Sequence, residues 1–159
     1  MKRLCTGTIS IIMFWALAVS AQSKSPIVGT WNLDTAKSEF SSTRVKSLTV
    51  VFSQDTPDML VWHGQGIDGD GKPMDIAWSG PENGSMHSTM ENGKPTFNQS
   101  AKKAEDGAIL RHGEFDEGSF DSRLKVSSDG KTLVDEIFAK SKDGKESKEK
   151  HVYRRVSTP

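Results

Sequence analysis

Apolar and polar residues alternate along much of this chain, as they do in half-buried β-strands. In one stretch Leu48, Val50 and Phe52 share a face, while Ser47 and Thr49 lie on the other. A shift of one residue would turn each apolar face towards water, so the pattern predicts both strands and registers. The same alternation recurs at Leu60 and Trp62, at Met74, Ile76 and Trp78, and at Phe120, Leu124 and Val126.

Eight short segments rich in Gly, Asp, Asn and Pro separate these stretches. Most contain Asp-Gly or Asn-Gly, whose positive φ suits tight hairpins. Eight turns join nine strands, and a strand at Gly29 adds a tenth. The spacing predicts an all-β, up-and-down antiparallel meander of eight to ten strands, closed into a barrel without free edges. The turn segments are 54–57, 68–72, 80–84, 91–95, 105–107, 116–118, 128–131 and 142–145.

One segment, "DTAKSEF" at 34–40, departs from the alternation. It begins with Asp34, a favourable N-cap residue, so we expect one short helical turn after the first strand. The least defined strand is "TFNQSAKK", in which Phe97 is the single large apolar residue.

The first 21 residues have the pattern of a secretory signal peptide. The basic residues Lys2 and Arg3 precede an apolar run, "ISIIMFWALAV" at 9–19. We expect cleavage after Ala21, which leaves 22–159 as one exported domain, periplasmic or secreted, with no membrane span. An uncleaved anchor is the alternative.

Composition narrows the function classes. Without Lys2 and Arg3 the chain has 19 basic and 21 acidic residues, which is not the balance of a nucleic-acid-binding protein. The single cysteine, Cys5, lies in the predicted signal peptide. The mature domain would therefore lack disulfides and cysteine-held metal sites, and we expect no metal and no cofactor.

The opening "GTW" (29–31), the helical turn, the meander and a final "VYRRV" (152–156) resemble the lipocalin-like (calycin) barrels. More closely, "GTWNLDTAKSEF", "DGDGKP" and "SDGKTL" are similar to small exported bacterial lipocalin-like proteins of largely unassigned function. Streptavidin-type barrels share the Gly-Thr-Trp start but not the rest. The resemblance implies that Trp31 packs across the closed barrel end beneath Arg155, or else Arg154, with Gly29 allowing close backbone approach.

The last strand places His151, Tyr153 and Arg155 on one face. The arrangement is similar to the Arg and Tyr with which fatty-acid-binding barrels hold a carboxylate, although a His stands where that family has Arg. These three groups could bind a carboxylate. Alternatively, Arg155 stacks on Trp31, Tyr153 packs nearby and His151 is exposed.

Two tryptophans, Trp62 and Trp78, alternate with polar residues and should point into the barrel. In a hollow barrel they would line an apolar cavity with Phe52, Ile76 and Met74, and in a filled barrel they would form core. The ligand-binding candidates are therefore Phe52, Trp62, Ile76, Trp78, Tyr153 and Arg155.

Other chemistries have weaker support. The segment "DGDGK" begins like a calcium loop but has Ser79 at the twelfth position, where an EF-hand needs Glu. Nitrobindin-type haem barrels combine an early Gly-x-Trp with a late His, here His151, but their fuller glycine signature is absent. No catalytic motif occurs.

We therefore expect a non-catalytic protein that binds a small apolar or amphipathic ligand. The alternative is a filled barrel that binds another protein, and its partner is unknown.

Overall fold

The computed structural model describes residues 25–41 and 45–157, and within them the chain forms ten β-strands and no helix. Each strand pairs antiparallel with the next, and the first also pairs with the last, which closes the sheet into a barrel. The predicted all-β meander and barrel are therefore confirmed, whereas the predicted signal peptide lies outside the described residues. The strands are β1 (Gly29–Leu33), β2 (Ser47–Thr56), β3 (Met59–Ile67), β4 (Pro73–Gly80), β5 (His87–Glu91), β6 (Lys94–Lys103), β7 (Ile109–Phe115), β8 (Gly118–Val126), β9 (Thr132–Ser141) and β10 (Glu146–Ser157).

The alternating pattern determines which side chains fill the barrel. Trp62 on β3 lies opposite Phe52 on β2 and Trp78 on β4, so three large aromatic residues share the interior face. Their burial removes a large apolar area from water and stabilises the barrel. The buried apolar cluster comprises Ile27, Trp31, Val50, Phe52, Leu60, Trp62, Trp78, Ala101, Ile109, Leu124, Leu133 and Tyr153.

The hairpins follow the turn signals with one difference. Asn92 and Gly93 have φ values of 48° and 76°, the backbone that an Asn-Gly hairpin requires. The turn predicted at 54–57 begins later, because β2 continues to Thr56. A register shift between Phe52 and Gln54 interrupts the alternation, so the residues after it lack the pattern that predicts a strand.

The segment after β1 forms a single hydrogen-bonded turn, not a helix. The Ser38 amide donates to the Asp34 carbonyl at 3.1 Å. The Val152 amide then donates to the Ser38 hydroxyl at 2.9 Å, which fixes the segment against the outside of β10. Val152 is buried for this reason, although its side chain belongs to the outer face.

The pairing between β4 and β5 is the shortest in the barrel. These strands are in register at only two positions, Ile76 with Glu91 and Ala77 with Met90. A register shift between Thr89 and Met90 also interrupts the pairing of β5 with β6, which continues beyond it to Glu91. The barrel is therefore closed, but its wall is least continuous along β4 and β5.

Candidate functional site

The interior of the barrel contains a cavity of about 230 Å³ that is partly open to solvent. The wall formed by β2, β3 and β4 is apolar, whereas the wall formed by β7 to β10 contains charged and polar groups. Binding sites for small molecules commonly combine a mainly apolar lining with a few polar groups. The lining residues are Val45, Leu48, Val50, Phe52, Trp62, Met74, Ile76, Arg111, Leu124, Leu133, Asp135, Ile137, His151 and Tyr153.

An ion pair between Arg111 of β7 and Asp135 of β9 forms the centre of the polar wall. Arg111 Nη2 donates to Asp135 Oδ2, and Arg111 Nε donates to Ser122 Oγ at 2.9 Å. The side chain of Asp135 is only 5% exposed, and that of Arg111 is 13% exposed. The second carboxylate oxygen, Asp135 Oδ1, is buried and has no hydrogen-bond partner within the part of the chain that the structure describes.

Two further polar groups from β10 line the same cavity. Burial raises the pKa of Tyr153, and the nearby negative charge of Asp135 adds to this effect, so the phenol stays protonated. His151 Nε2 lies 2.9 Å from Glu149 Oε2, and its ring centroid is 5.1 Å from that of Phe40. Burial opposes ionisation of Glu149, but hydrogen bonds from Ser41 and His151 outweigh it and lower the Glu149 pKa.

One end of the barrel is closed by Trp31 and Arg155. The Arg155 guanidinium carbon lies 4.1 Å from the Trp31 ring centroid, and Trp31 Nε1 donates to the Ile27 carbonyl at 2.7 Å. Arg155 also donates to the backbone carbonyls of Gly130, at 2.6 Å, and Val28, at 3.0 Å. The guanidinium therefore connects β10 to two loops while it covers the indole.

This geometry separates the two candidates for stacking on Trp31. Arg154 is on the outer face, where its Nε donates to Asp34 Oδ2 at 2.7 Å. Arg155 is the residue over the indole. Gly29 is buried at the start of β1 with a φ of 141°, a backbone conformation that favours glycine.

The face of β10 that carries His151, Tyr153 and Arg155 points inward, but these residues do not form one site. Tyr153 and His151 line the cavity, whereas Arg155 lies at the closed end. The expectation of an exposed His151 is therefore wrong, since its side chain is 14% exposed. The predicted trio of His, Tyr and Arg around one carboxylate does not occur.

Four of the six ligand-binding candidates meet in the cavity: Phe52, Trp62, Ile76 and Tyr153. Trp78 is buried but does not line it, and its Nε1 donates to the His87 carbonyl at 3.2 Å. Trp62 Nε1 is a buried donor with no partner among the described residues. Trp62 and Asp135, which line opposite walls of the cavity, thus each carry a buried polar atom without a partner among the described residues.

The sequence reasoning missed Arg111 and Asp135. A usable signal was present in β9, where Asp135 lies between the inward-facing Leu133 and Ile137 at the two-residue period of a strand. A charged residue at an inward position requires a partner, because an unpaired buried charge is strongly unfavourable. Arg111 follows Ile109 with the same spacing and supplies that partner.

A second group of buried charges lies elsewhere in the molecule. Lys103 Nζ donates to Asp55 Oδ2 at 2.5 Å and lies 3.8 Å from Glu82 Oε1. The side chains of Asp55 and Glu82 are 1% and 3% exposed. Burial and the negative charge of Asp55 raise the pKa of Glu82 from 4.5 to about 7, although Lys103 opposes the increase.

The candidate calcium loop is a hairpin turn. The Asp68 amide donates to the Lys72 carbonyl at 3.0 Å, and the Lys72 amide donates to Asp68 Oδ1 at 2.8 Å. The Asp68 carboxylate therefore stabilises the turn itself. Across residues 25–41 and 45–157, no three His, Cys, Asp or Glu residues are grouped closely enough to hold a metal ion.

The described ranges contain no helix of sufficient length and apolar character to cross a membrane. Neither a protein-family model nor a curated protein sequence matches this chain. The fold is a closed ten-stranded antiparallel barrel, the architecture expected of a lipocalin-like protein.

Proposed function

We propose that this protein is an exported, lipocalin-like binding protein that holds a small amphipathic ligand inside its barrel without chemically changing it. Export rests on the signal-peptide pattern of the first 21 residues. The lipocalin-like assignment rests on the Gly-Thr-Trp start, the closed meander and the contact of Arg155 with Trp31.

One observation carries the binding function: the interior cavity has an apolar wall on one side and a buried ion pair on the other. Apolar walls favour a hydrocarbon body, and polar groups inside a cavity fix orientation by hydrogen bonding. The cavity volume of about 230 Å³ lies just below the usual range for small-molecule sites, which favours a small ligand.

The cavity also favours ligand binding over the second hypothesis, a filled barrel that binds another protein. The exposed apolar residues give little support to a docking surface, since they are distributed over several strands, as Val51, Leu110 and Phe138 illustrate. Lys148 Nζ lies 5.0 Å from the centroid of the Phe138 ring and partly covers it.

Native mass spectrometry of the protein purified from its own host's envelope or medium tests the proposal. We expect a discrete added mass that is lost on gentle activation. Val50 lines the cavity and its neighbour Val51 faces outward, so Val50→Trp should abolish the added mass and Val51→Trp should not.

The contrary result is an unliganded protein that also remains empty after incubation with alcohols, fatty acids and isoprenoids. Equal binding by both tryptophan variants would likewise count against an interior site, since only Val50→Trp fills the cavity.

A further inference from the structure

The unpaired oxygen of Asp135 defines the polar end of the ligand. Its carboxylate lines the cavity, its Oδ2 accepts from Arg111, and its Oδ1 is buried without a partner among the described residues. A buried carboxylate oxygen is an acceptor of high energy when left unpaired. A ligand that donates an O–H or N–H hydrogen bond to Oδ1 would satisfy it.

The charges at this position disfavour an ionic head group of either sign. A carboxylate placed against Arg111 would lie beside the negative charge of Asp135, and an ammonium placed against Asp135 would lie beside the positive charge of Arg111. Each like-charge contact is unfavourable because the side chains of Arg111 and Asp135 are largely shielded from water. A neutral head group avoids both contacts.

We infer that the ligand carries an uncharged hydrogen-bond donor, such as a hydroxyl, that binds Asp135 Oδ1; this inference rests on the proposed function. The hydrocarbon part of the ligand lies against the β2–β4 wall. This neutral head group differs from the carboxylate that the residues of the last strand were predicted to bind. Arg111 serves as the fixed counter-charge of Asp135 and is not available to an acidic ligand.

Isothermal titration of the purified protein with matched eight-carbon probes tests the inference. Octan-1-ol should bind about tenfold to hundredfold more tightly than its isomer heptyl methyl ether, which is the range for one hydrogen bond to a charged group. The two probes have the same atoms and differ chiefly in the hydroxyl hydrogen, so the comparison isolates donation. Octanoate and octylamine, both ionised at about pH 7.5, should bind at least about tenfold more weakly than octan-1-ol.

Asp135→Asn provides a change of specificity. Removal of the negative charge frees Arg111 to pair with an acid, so octanoate should bind at least about tenfold more tightly than to the unmodified protein, and the preference for octan-1-ol should be lost. Asp121→Asn is the matched control, because Asp121 lies on the outer face of β8 and is 75% exposed. If Asp135→Asn does not fold, the probe series on the unmodified protein decides the matter alone.

The possible failures are distinguishable. Equal affinities for all four probes, all abolished by Val50→Trp, would overturn the head-group inference and leave the proposed function intact. Tighter binding of octanoate or octylamine than of octan-1-ol would overturn it in the same way. If no probe binds, or if Val50→Trp does not weaken binding, the proposed function fails and the inference fails with it.

Discussion

Glu82 should reduce the stability of the barrel at neutral and alkaline pH. Its carboxyl is almost fully buried beside Asp55, which raises its pKa to about 7 from an ordinary value of 4.5. The unfolded chain therefore releases this proton at a lower pH than the folded protein does. Between these two values the folded state binds more protons, so the free energy of unfolding falls as pH rises.

The magnitude follows from the size of the shift. A rise from 4.5 to about 7, at about 1.4 kcal/mol per pKa unit, corresponds to about 3 kcal/mol lost by pH 8 relative to pH 4. Glu82→Gln imitates the protonated side chain and removes the titration. We expect this variant to exceed the unmodified protein in stability by about 2–3 kcal/mol near pH 8 and to match it near pH 4.

Urea unfolding monitored by tryptophan fluorescence at several pH values provides the measurement. The control is Glu105→Gln, which changes an exposed glutamate in the turn between β6 and β7 and should give curves parallel to those of the unmodified protein. A Glu82→Gln variant whose stability difference does not change with pH would mean that the Glu82 pKa is not raised in the folded protein. So would a variant that is less stable near pH 8, because Lys103 would then be stabilising an ionised Glu82.

Three further predictions concern packing and ion pairs. Arg155→Ala should lower the unfolding free energy by about 2–4 kcal/mol, because it removes the indole contact and several charged hydrogen bonds. In denaturant unfolding, the stability of Arg155→Lys should lie between those of the unmodified protein and Arg155→Ala. Arg111→Met should destabilise by about 3–5 kcal/mol, because Asp135 is left buried and unpaired, and adding Asp135→Leu should restore most of the loss in a double-mutant cycle. Gly113→Ala should lower the unfolding free energy by about 1–3 kcal/mol, since a Cβ there would overlap the Phe120 ring. Thermal unfolding should show that Phe120→Leu reduces this loss, and equal losses in both backgrounds would contradict the steric explanation.

The fold was predictable because its signals are local. Alternation depends on neighbouring residues, and a dipeptide such as Asn92-Gly93 determines its own turn geometry. The exception is the end of β2, where the register shift after Phe52 breaks the period. The short helical turn predicted from Asp34 forms only a hydrogen-bonded turn, because backbone bonds from Lys37 and Ser38 to Asp34 are followed by contacts with β10.

The site was only partly predictable because position along the barrel axis is not encoded in alternation. Trp62 and Trp78 share a face and lie opposite each other, yet only Trp62 lines the cavity. The ion pair joins residues 24 positions apart across three strands. This ion pair forms only when β7, β8 and β9 are in the observed register. The alternation within each strand predicts that Arg111 and Asp135 face inward, but it does not predict that register.

The short pairing of β4 with β5 has a consequence for dynamics and solubility. Amide protons at Ala77 and Met90 should exchange with solvent faster than those in the middle of β3, because few hydrogen bonds must break to separate these strands. Separation there would convert the barrel into an open sheet with two free strand edges, which can pair with another molecule. Glu91, at the end of β5, and Asp75, on β4, lie at one end of this region and carry like charges. Such charges disfavour edge-to-edge association, so the least continuous part of the wall also carries protection against aggregation.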